Sequence, residues 1–588
     1  MKHSFAKLNE KIFSSKELSG IGSAGRLRLL RGNGSKMLNF LGRCISYTST
    51  RSYGSFLLSF GIVSLLLNLG EYYFRDAPEV SLASLVTSVV LAVLSVPFLL
   101  FDKPLAVVVQ DIPLTDHIFF EFLSIKRMHR NVKHVTVSPL VALFIGFIPA
   151  VVSFFVSLNY VILAILLGAI VLIAMTSPEF SMMLTIIAVP YLPALPSPTL
   201  ILCCMSALTM LSYGWKVVLG KRVFNFDVYG AIVLLLGIVA LISGIISDSD
   251  GAFKLSLAFF ALILSYFPAA NMISNRRLAD NAINAVIVSA IPITVLSVIE
   301  FIVEHPKTSY VPPKYSTDGI SVFFSSPDAL AAFMLVAVIS TLTFMIEKRN
   351  KVKKAFYGVV SILEIAVLGL LLLPEVWLAM VICSIVYPII KSKHIPIDLL
   401  LVIIPLPLLV FFIPRDILDR VSKFFGAEFS FSERMAGYTE AFNVFLENMS
   451  FGTGLGSSAY MNSAISDTGG LFNTFLGIAT QLGVIALALV MLMIVLRMRH
   501  LSYYRLYLRN SLVEVTGEMT AVALIALLSF GMLSNLFGDL TVLYLFWTVI
   551  GISAAALRIA KKECDDRQGY YGDSRSSESS ALDIGLNY

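Results

Sequence analysis

Residues 159–175 read NYVILAILLGAIVLIAM, seventeen positions without an acid or a basic side chain. A helix rising 1.5 Å per residue needs about 17–25 such residues to cross the hydrocarbon core of a bilayer, whereas a buried strand needs far fewer. This stretch is therefore a membrane-spanning helix. Runs of the same kind recur near 55–73, 80–100, 136–157, 159–175, 181–194, 197–214, 228–247, 254–273, 281–303, 328–346, 356–373, 375–390, 397–413, 471–496, 518–537 and 540–558. The sequence thus predicts an all-α polytopic integral membrane bundle of about 14–16 helices. Between 181 and 214 the run is interrupted by Pro190, Pro193, Pro196 and Pro198. Proline ends or kinks a helix, so either a tight hairpin or a broken helix fits there.

Composition agrees with a lipid solvent. Of 588 residues 57% are hydrophobic and 14% charged, with a mean hydropathy of +0.83; soluble domains carry about 25% charged residues. The five cysteines, Cys44, Cys203, Cys204, Cys383 and Cys564, are scattered without CxxC or metal-ligand spacing, so no disulfide framework, metal site or cofactor is indicated. The polar, basic first fifty residues read against a cleaved signal peptide.

Charge placement gives orientation. With the N-terminus in the cytoplasm, alternate loops collect all but eight of the 44 Lys and Arg residues, as the positive-inside rule requires. The exceptions are Arg75, Lys254, Lys307, Lys314, Arg415, Arg420, Lys423 and Arg434. The net charge of +6 therefore follows membrane topology and calls for no nucleic-acid partner. Both termini fall in the cytoplasm. The domains expected are a basic segment 1–54, a two-helix extension with an interfacial segment 55–135, a main membrane domain 136–559, and a disordered tail 560–588. Within 101–135, Phe119, Phe120, Phe122 and Leu123 stand beside Lys126, Arg127, Arg130 and Lys133. That suits an amphipathic helix on anionic lipid, or a linker that skirts the membrane.

Two longer loops, 304–327 and 414–470, fall on the outer face. The second carries Arg415, Arg420, Lys423 and Arg434 within its first 21 positions. Guanidinium groups form bidentate bonds to phosphate, so this cluster is a candidate phosphate contact. The spacing of Asp416 from Arg420 and of Asp419 from Lys423 equally fits i,i+4 pairs on a solvated helix. Further on, Gly452-Thr-Gly-Leu-Gly456 is a glycine-rich turn that neither follows a strand nor fits a nucleotide-binding pattern. Glu364 lies near the middle of a span, where a carboxyl group faces the protein interior. Glu300, Asp248 and Asp250 read as interfacial charges, and His305 beside Glu304 as a solvated pair or a substitute base.

Several of these stretches resemble the O-antigen ligase and polymerase superfamily. Ser432-Glu-Arg434-Met-Ala-Gly-Tyr438-Thr-Glu-Ala441 followed by Gly452-Thr-Gly-Leu-Gly456 is similar to the arginine, aromatic and GxG turn of that family's large outer loop. Leu471-Phe-Asn473-Thr-Phe-Leu476 through Gln481-Leu-Gly483 is similar to its HNxxL…ExG segment. Phe324-Ser-Ser-Pro327-Asp-Ala-Leu-Ala331 is similar to its FxNPNxLA turn, and Thr176-Ser-Pro-Glu179 to a short inner turn. The resemblance covers residues 140–500 and implies a GT-C-like fold in a bacterial cytoplasmic membrane. It also implies glycan transfer from an undecaprenyl-pyrophosphate donor at the outer face. Arg434 matches the family's arginine and is implied to hold the donor phosphate, with Arg415, Arg420 and Lys423 assisting.

Glu440, Asp328, Asn473 and Gln481 are the other outer-face candidates. The chain departs from the family where its chemistry sits. Phe472 stands for the histidine, Gln481 for the glutamate, Ser326-Pro327-Asp328 for Asn-Pro-Asn, and Leu373-Pro-Glu-Val-Trp377 for an SRG…W motif; no catalytic residue is assigned. Three functions follow: a transferase of cell-surface polysaccharide assembly, a non-catalytic binding or partner subunit of such a system, or a transporter of lipid-linked glycan. The expected partners are a lipid-linked glycan, membrane lipid and polysaccharide-assembly proteins.

Overall fold

The computed structural model describes residues 48–74, 82–123, 125, 127, 138–220, 222–247, 249, 251–304, 321–347, 350–371, 373–391, 431–456, 473–503 and 511–584. Among them there is no strand, only an isolated bridge between Ser49 and Pro104. The helices are α1 (Thr50–Phe74), α2 (Leu82–Leu100), α3 (Pro139–Phe155), α4 (Leu158–Thr176), α5 (Pro178–Ala188), α6 (Pro198–Val218), α7 (Val228–Ile246), α8 (Ala252–Ile263), α9 (Tyr266–Met272), α10 (Arg276–Glu304), α11 (Pro327–Glu347), α12 (Lys351–Leu370), α13 (Pro374–Lys391), α14 (Phe431–Glu447), α15 (Thr474–Tyr503), α16 (Glu514–Gly531) and α17 (Leu540–Ile584). Short helical pieces fill Leu105–Asp111, Pro113–Thr115 and Asp116–Phe122.

The protein is an all-α, multi-pass membrane bundle. Among the described residues, ten helical stretches are long and apolar enough to cross a bilayer, and three shorter apolar helices accompany them. The expected spans fall largely on helix, although 254–273 is divided between α8 and α9 and α16 stops at Gly531 within 518–537. The span 397–413 lies outside the described residues. The span 181–194 is the eleven-residue α5 continued by a 3-10 helix over Val189–Ala194, short of a full crossing. The prolines explain the change: Pro190 and Pro193 lie in the 3-10 segment, and Pro198 opens α6 after a bend in which Ser197 has φ of 60°.

The described residues form two compact units, one within Gly20–Ser181 and Leu211–Arg222, the other Met182–Met210 with Val223 onward. In the first, α1 packs on α2 and α3. Its core is Phe60, Ala150, Leu158 and Val161, while Phe144, Phe155 and Leu163 point outward, as lipid-facing side chains do. Within 105–123, Phe120 points inward and Ile112 and Leu114 outward. Arg127 bonds Asp116 at 2.7 Å and Glu121 at 3.3 Å; Lys126, Arg130 and Lys133 lie outside the described residues.

In the second unit α11, α16 and α17 are the innermost helices, and they pack on one another. Several of their hydroxyls bond back within their own helices. Ser340 donates to the Val336 carbonyl at 2.6 Å, Thr341 to Ala337 at 2.8 Å, and Ser529 to Ile525 at 2.8 Å. That back-bonding removes the cost of a buried polar group where no water is at hand. Glu364 is fully buried on α12, facing the interior as its position in a span required. Past its apolar span α17 runs on to Ile584. No proline interrupts this stretch.

Candidate functional site

Three of the segments singled out in the second unit, 324–331, 452–456 and 473–483, converge on one end of the bundle, where α11, α15 and α17 begin and α7 ends. Here α15 is broken. Gly483 has φ of 80° and ψ of −179°, outside the helical region. Only glycine takes such a backbone cheaply. The break disrupts the helical hydrogen bonds around Thr480, Gln481 and Val484, and the glycine-rich turn supplies partners. Thr453 N–H donates to the Thr480 carbonyl at 2.9 Å and Gly454 N–H to the Gln481 carbonyl at 3.0 Å. In return Val484 N–H donates to the Met449 carbonyl at 2.9 Å. Two hydroxyls of α7 complete the joint, Ser243 donating to the Gln481 carbonyl at 2.9 Å and Ser247 to the Thr453 carbonyl at 2.7 Å.

Glycines make this close approach sterically possible. A β-carbon at Gly452 would strike the Gln481 main chain, one at Gly483 the Ser450 carbonyl, and one at Gly454 the Ser247 side chain. Gly452 and Gly454 also have φ of 68° and 92°. The GTGLG turn and the Gln481-Leu-Gly483 segment are therefore two halves of one backbone joint. Gln481 contributes its carbonyl to it.

Eight residues before Gln481, about 12 Å along the helix, Asn473 caps α15. Its Oδ1 accepts from Phe475 N–H at 2.9 Å and Leu476 N–H at 3.0 Å, and its Nδ2 donates to the Met532 carbonyl at 3.0 Å. Thr474 donates to the Ser534 carbonyl at 2.8 Å and accepts from Leu536 N–H at 2.9 Å. The turn after α16 is thereby tied to the start of α15. Ser534 ties it also to α11, donating through its hydroxyl to Asp328 Oδ2 at 2.6 Å.

Asp328, half-buried in the first turn of α11, thus stands beside the same turn as Asn473. A second acid, which the sequence reading passed over, completes the cluster. Asp539 caps α17, accepting from Thr541 N–H at 2.7 Å and Val542 N–H at 3.2 Å, and it accepts from the Ser325 hydroxyl. An aspartate before Leu540-Thr-Val at a helix start is the signal that would have found it. Glu300, expected as an interfacial charge, clamps the chain entering α11. Its two oxygens accept Ser321 N–H at 3.2 Å and Val322 N–H at 2.9 Å, holding Val322 at φ of 52°.

The basic candidates are placed only in part. Arg434 lies on α14, the helix that leads through Glu447 into the glycine turn and packs on α15. Glu440 is half-exposed on the same helix. Arg415, Arg420 and Lys423 lie outside the described residues, as do His305, Asp248, Asp250 and Phe472. In the first unit, Arg222 pairs with Glu179 at the Thr176-Ser-Pro-Glu179 turn. Among the described residues no group of three or more His, Cys, Asp or Glu side chains is placed to hold a metal ion.

Chemically, this end offers two aspartates with hydroxyl partners and a rigid glycine joint that follows α14. No protein-family model and no curated protein matches the chain.

Proposed function

We propose that the protein is a GT-C-like glycosyltransferase of cell-surface polysaccharide assembly, taking its glycan from an undecaprenyl-pyrophosphate donor at the outer face of a bacterial cytoplasmic membrane. The observation that carries this reading is the joint between the GTGLG turn and the α15 break. The segments resembling two separate family motifs are mutually bonded there, and α14, which bears Arg434 in its first turn, runs on into it. In the reaction the acceptor oxygen bonds the anomeric carbon, the bond from that carbon to pyrophosphate breaks, and the hydroxyl proton passes to a base. Arg434, with Arg415, Arg420 and Lys423, holds the departing pyrophosphate, whose charge grows as the bond breaks. Asp328 is the base in this scheme, taking the place of the family's histidine.

One observation favours a second reading, a non-catalytic subunit that binds the lipid-linked glycan. Asn473 and Asp539 serve as helix caps and Asp328 as a tether to Ser534, so structural roles account for all three. Purified protein in nanodiscs, given undecaprenyl-pyrophosphate-linked oligosaccharide and an acceptor, separates the two. A transferase releases undecaprenyl pyrophosphate and moves the glycan, and Arg434→Ala abolishes this while leaving the melting temperature unchanged. Binding without turnover by the unaltered protein would make it the subunit. A failure to bind would remove both.

A further inference from the structure

At the opposite end of the second unit, a cavity of about 240 Å³ is lined by Asp227, Tyr229, Arg497, His500, Arg558 and Lys561 among others. It lies at the start of α7, the last turns of α15 and the cytoplasm-assigned half of α17. Its electrostatics are unbalanced. Asp227 is the one carboxylate among the lining residues, and its oxygens accept the Tyr266 hydroxyl at 2.8 and 2.9 Å and Gly230 N–H at 2.8 Å. Arg558 donates to neutral acceptors, the Ala270 carbonyl at 2.6 Å and the Ile273 carbonyl at 3.2 Å.

Arg497 is only 4% exposed. It donates to the Ser553 hydroxyl and lies 5.3 Å from the centre of the Tyr229 ring, both uncharged partners. Its Nε has no hydrogen-bond partner. A buried guanidinium with an unsatisfied donor and, among the described residues, no ion pair is costly, and a bound anion removes that cost. Lys561, exposed beside the cavity, adds a mobile ammonium.

We propose that this cavity binds a phosphate group, with Arg497 at its base and Lys561 at its mouth. A guanidinium and an ammonium on one side, with hydroxyl and imidazole groups around them, suit tetrahedral anionic oxygens. The phosphate comes from an anionic phospholipid headgroup or from free phosphate. The site is separate from the glycine joint at the other end of α7 and α15, and stands whether or not that end transfers glycan.

The test uses the full chain in neutral detergent, titrated with phosphatidylglycerol, phosphatidylcholine and inorganic phosphate. Saturable binding of phosphatidylglycerol or of phosphate is expected, with Kd raised at least about tenfold by Arg497→Gln and by Lys561→Ala, the loss of one charge-assisted contact. Lys562→Ala, exposed and outside the cavity lining, leaves Kd unchanged. Binding of the lipid alone assigns a headgroup; binding of inorganic phosphate assigns the free anion. Lys561→Ala carries the test if Arg497→Gln does not fold. The proposal is overturned if phosphatidylglycerol binds no better than phosphatidylcholine and phosphate does not bind. It is equally overturned if Lys561→Ala matches the unaltered protein, or if Lys562→Ala weakens binding as much as Lys561→Ala does.

Discussion

Gly483 shows how one residue sets the geometry of a membrane helix. A φ of 80° costs a side-chain-bearing residue about 1–2 kcal/mol, and a β-carbon there also meets the Ser450 carbonyl. Gly483→Ala should therefore lower stability by about 2–4 kcal/mol, read as a lower melting temperature in detergent. A retained melting temperature would mean that α15 has no such break. At this scale the sequence was legible in one sense and opaque in another. The glycines of Gly452-Thr-Gly-Leu-Gly456 announced a sharp bend, because few other residues supply left-handed backbone. Their partner, the Gln481 carbonyl, was invisible, since a main-chain acceptor carries no residue signature. Gln481 drew attention for its side chain and acts through its backbone.

Elements at this end are fixed by their first turns. Asn473 starts α15, Asp539 starts α17, and Asp328 with Ser326 starts α11. In a bilayer these N–H groups have no water to bond, so caps also serve as joints between neighbouring helices. Asn473→Ala removes a cap and the bond to the Met532 carbonyl and should cost about 1–2 kcal/mol. The same melting assay reads this, and an unchanged midpoint would show that water takes over both roles. The helices themselves were legible from apolar run length. Their true ends were less so. The prolines at 190 and 193 gave a 3-10 continuation where a full crossing was expected, and α17 continues beyond the apolar residues that define its span. Run length locates a crossing, whereas a helix end depends on local hydrogen bonds that composition does not encode.

Within the second unit, the basic cavity and the joined motif segments lie at opposite ends of α7 and α15. The cavity of Arg497, Arg558 and Lys561 is at one end, and Gly452–Gly456 with Asp328 and Asp539 at the other. Under the proposed function the glycine joint faces outward and the cavity faces the cytoplasm. The sequence supplied the separation through its loop charges, while the aspartate cluster needed the fold: Asp328 and Ser534 are 206 residues apart. The measurement to make is sidedness in intact cells, with the five native cysteines replaced and single cysteines introduced at the exposed positions Ser450 and Lys562. A membrane-impermeant maleimide should label Ser450→Cys and leave Lys562→Cys untouched until the cells are opened. Labelling of Lys562→Cys alone would put the glycine joint and its aspartates in the cytoplasm, and glycan transfer at the outer face could not then be their work.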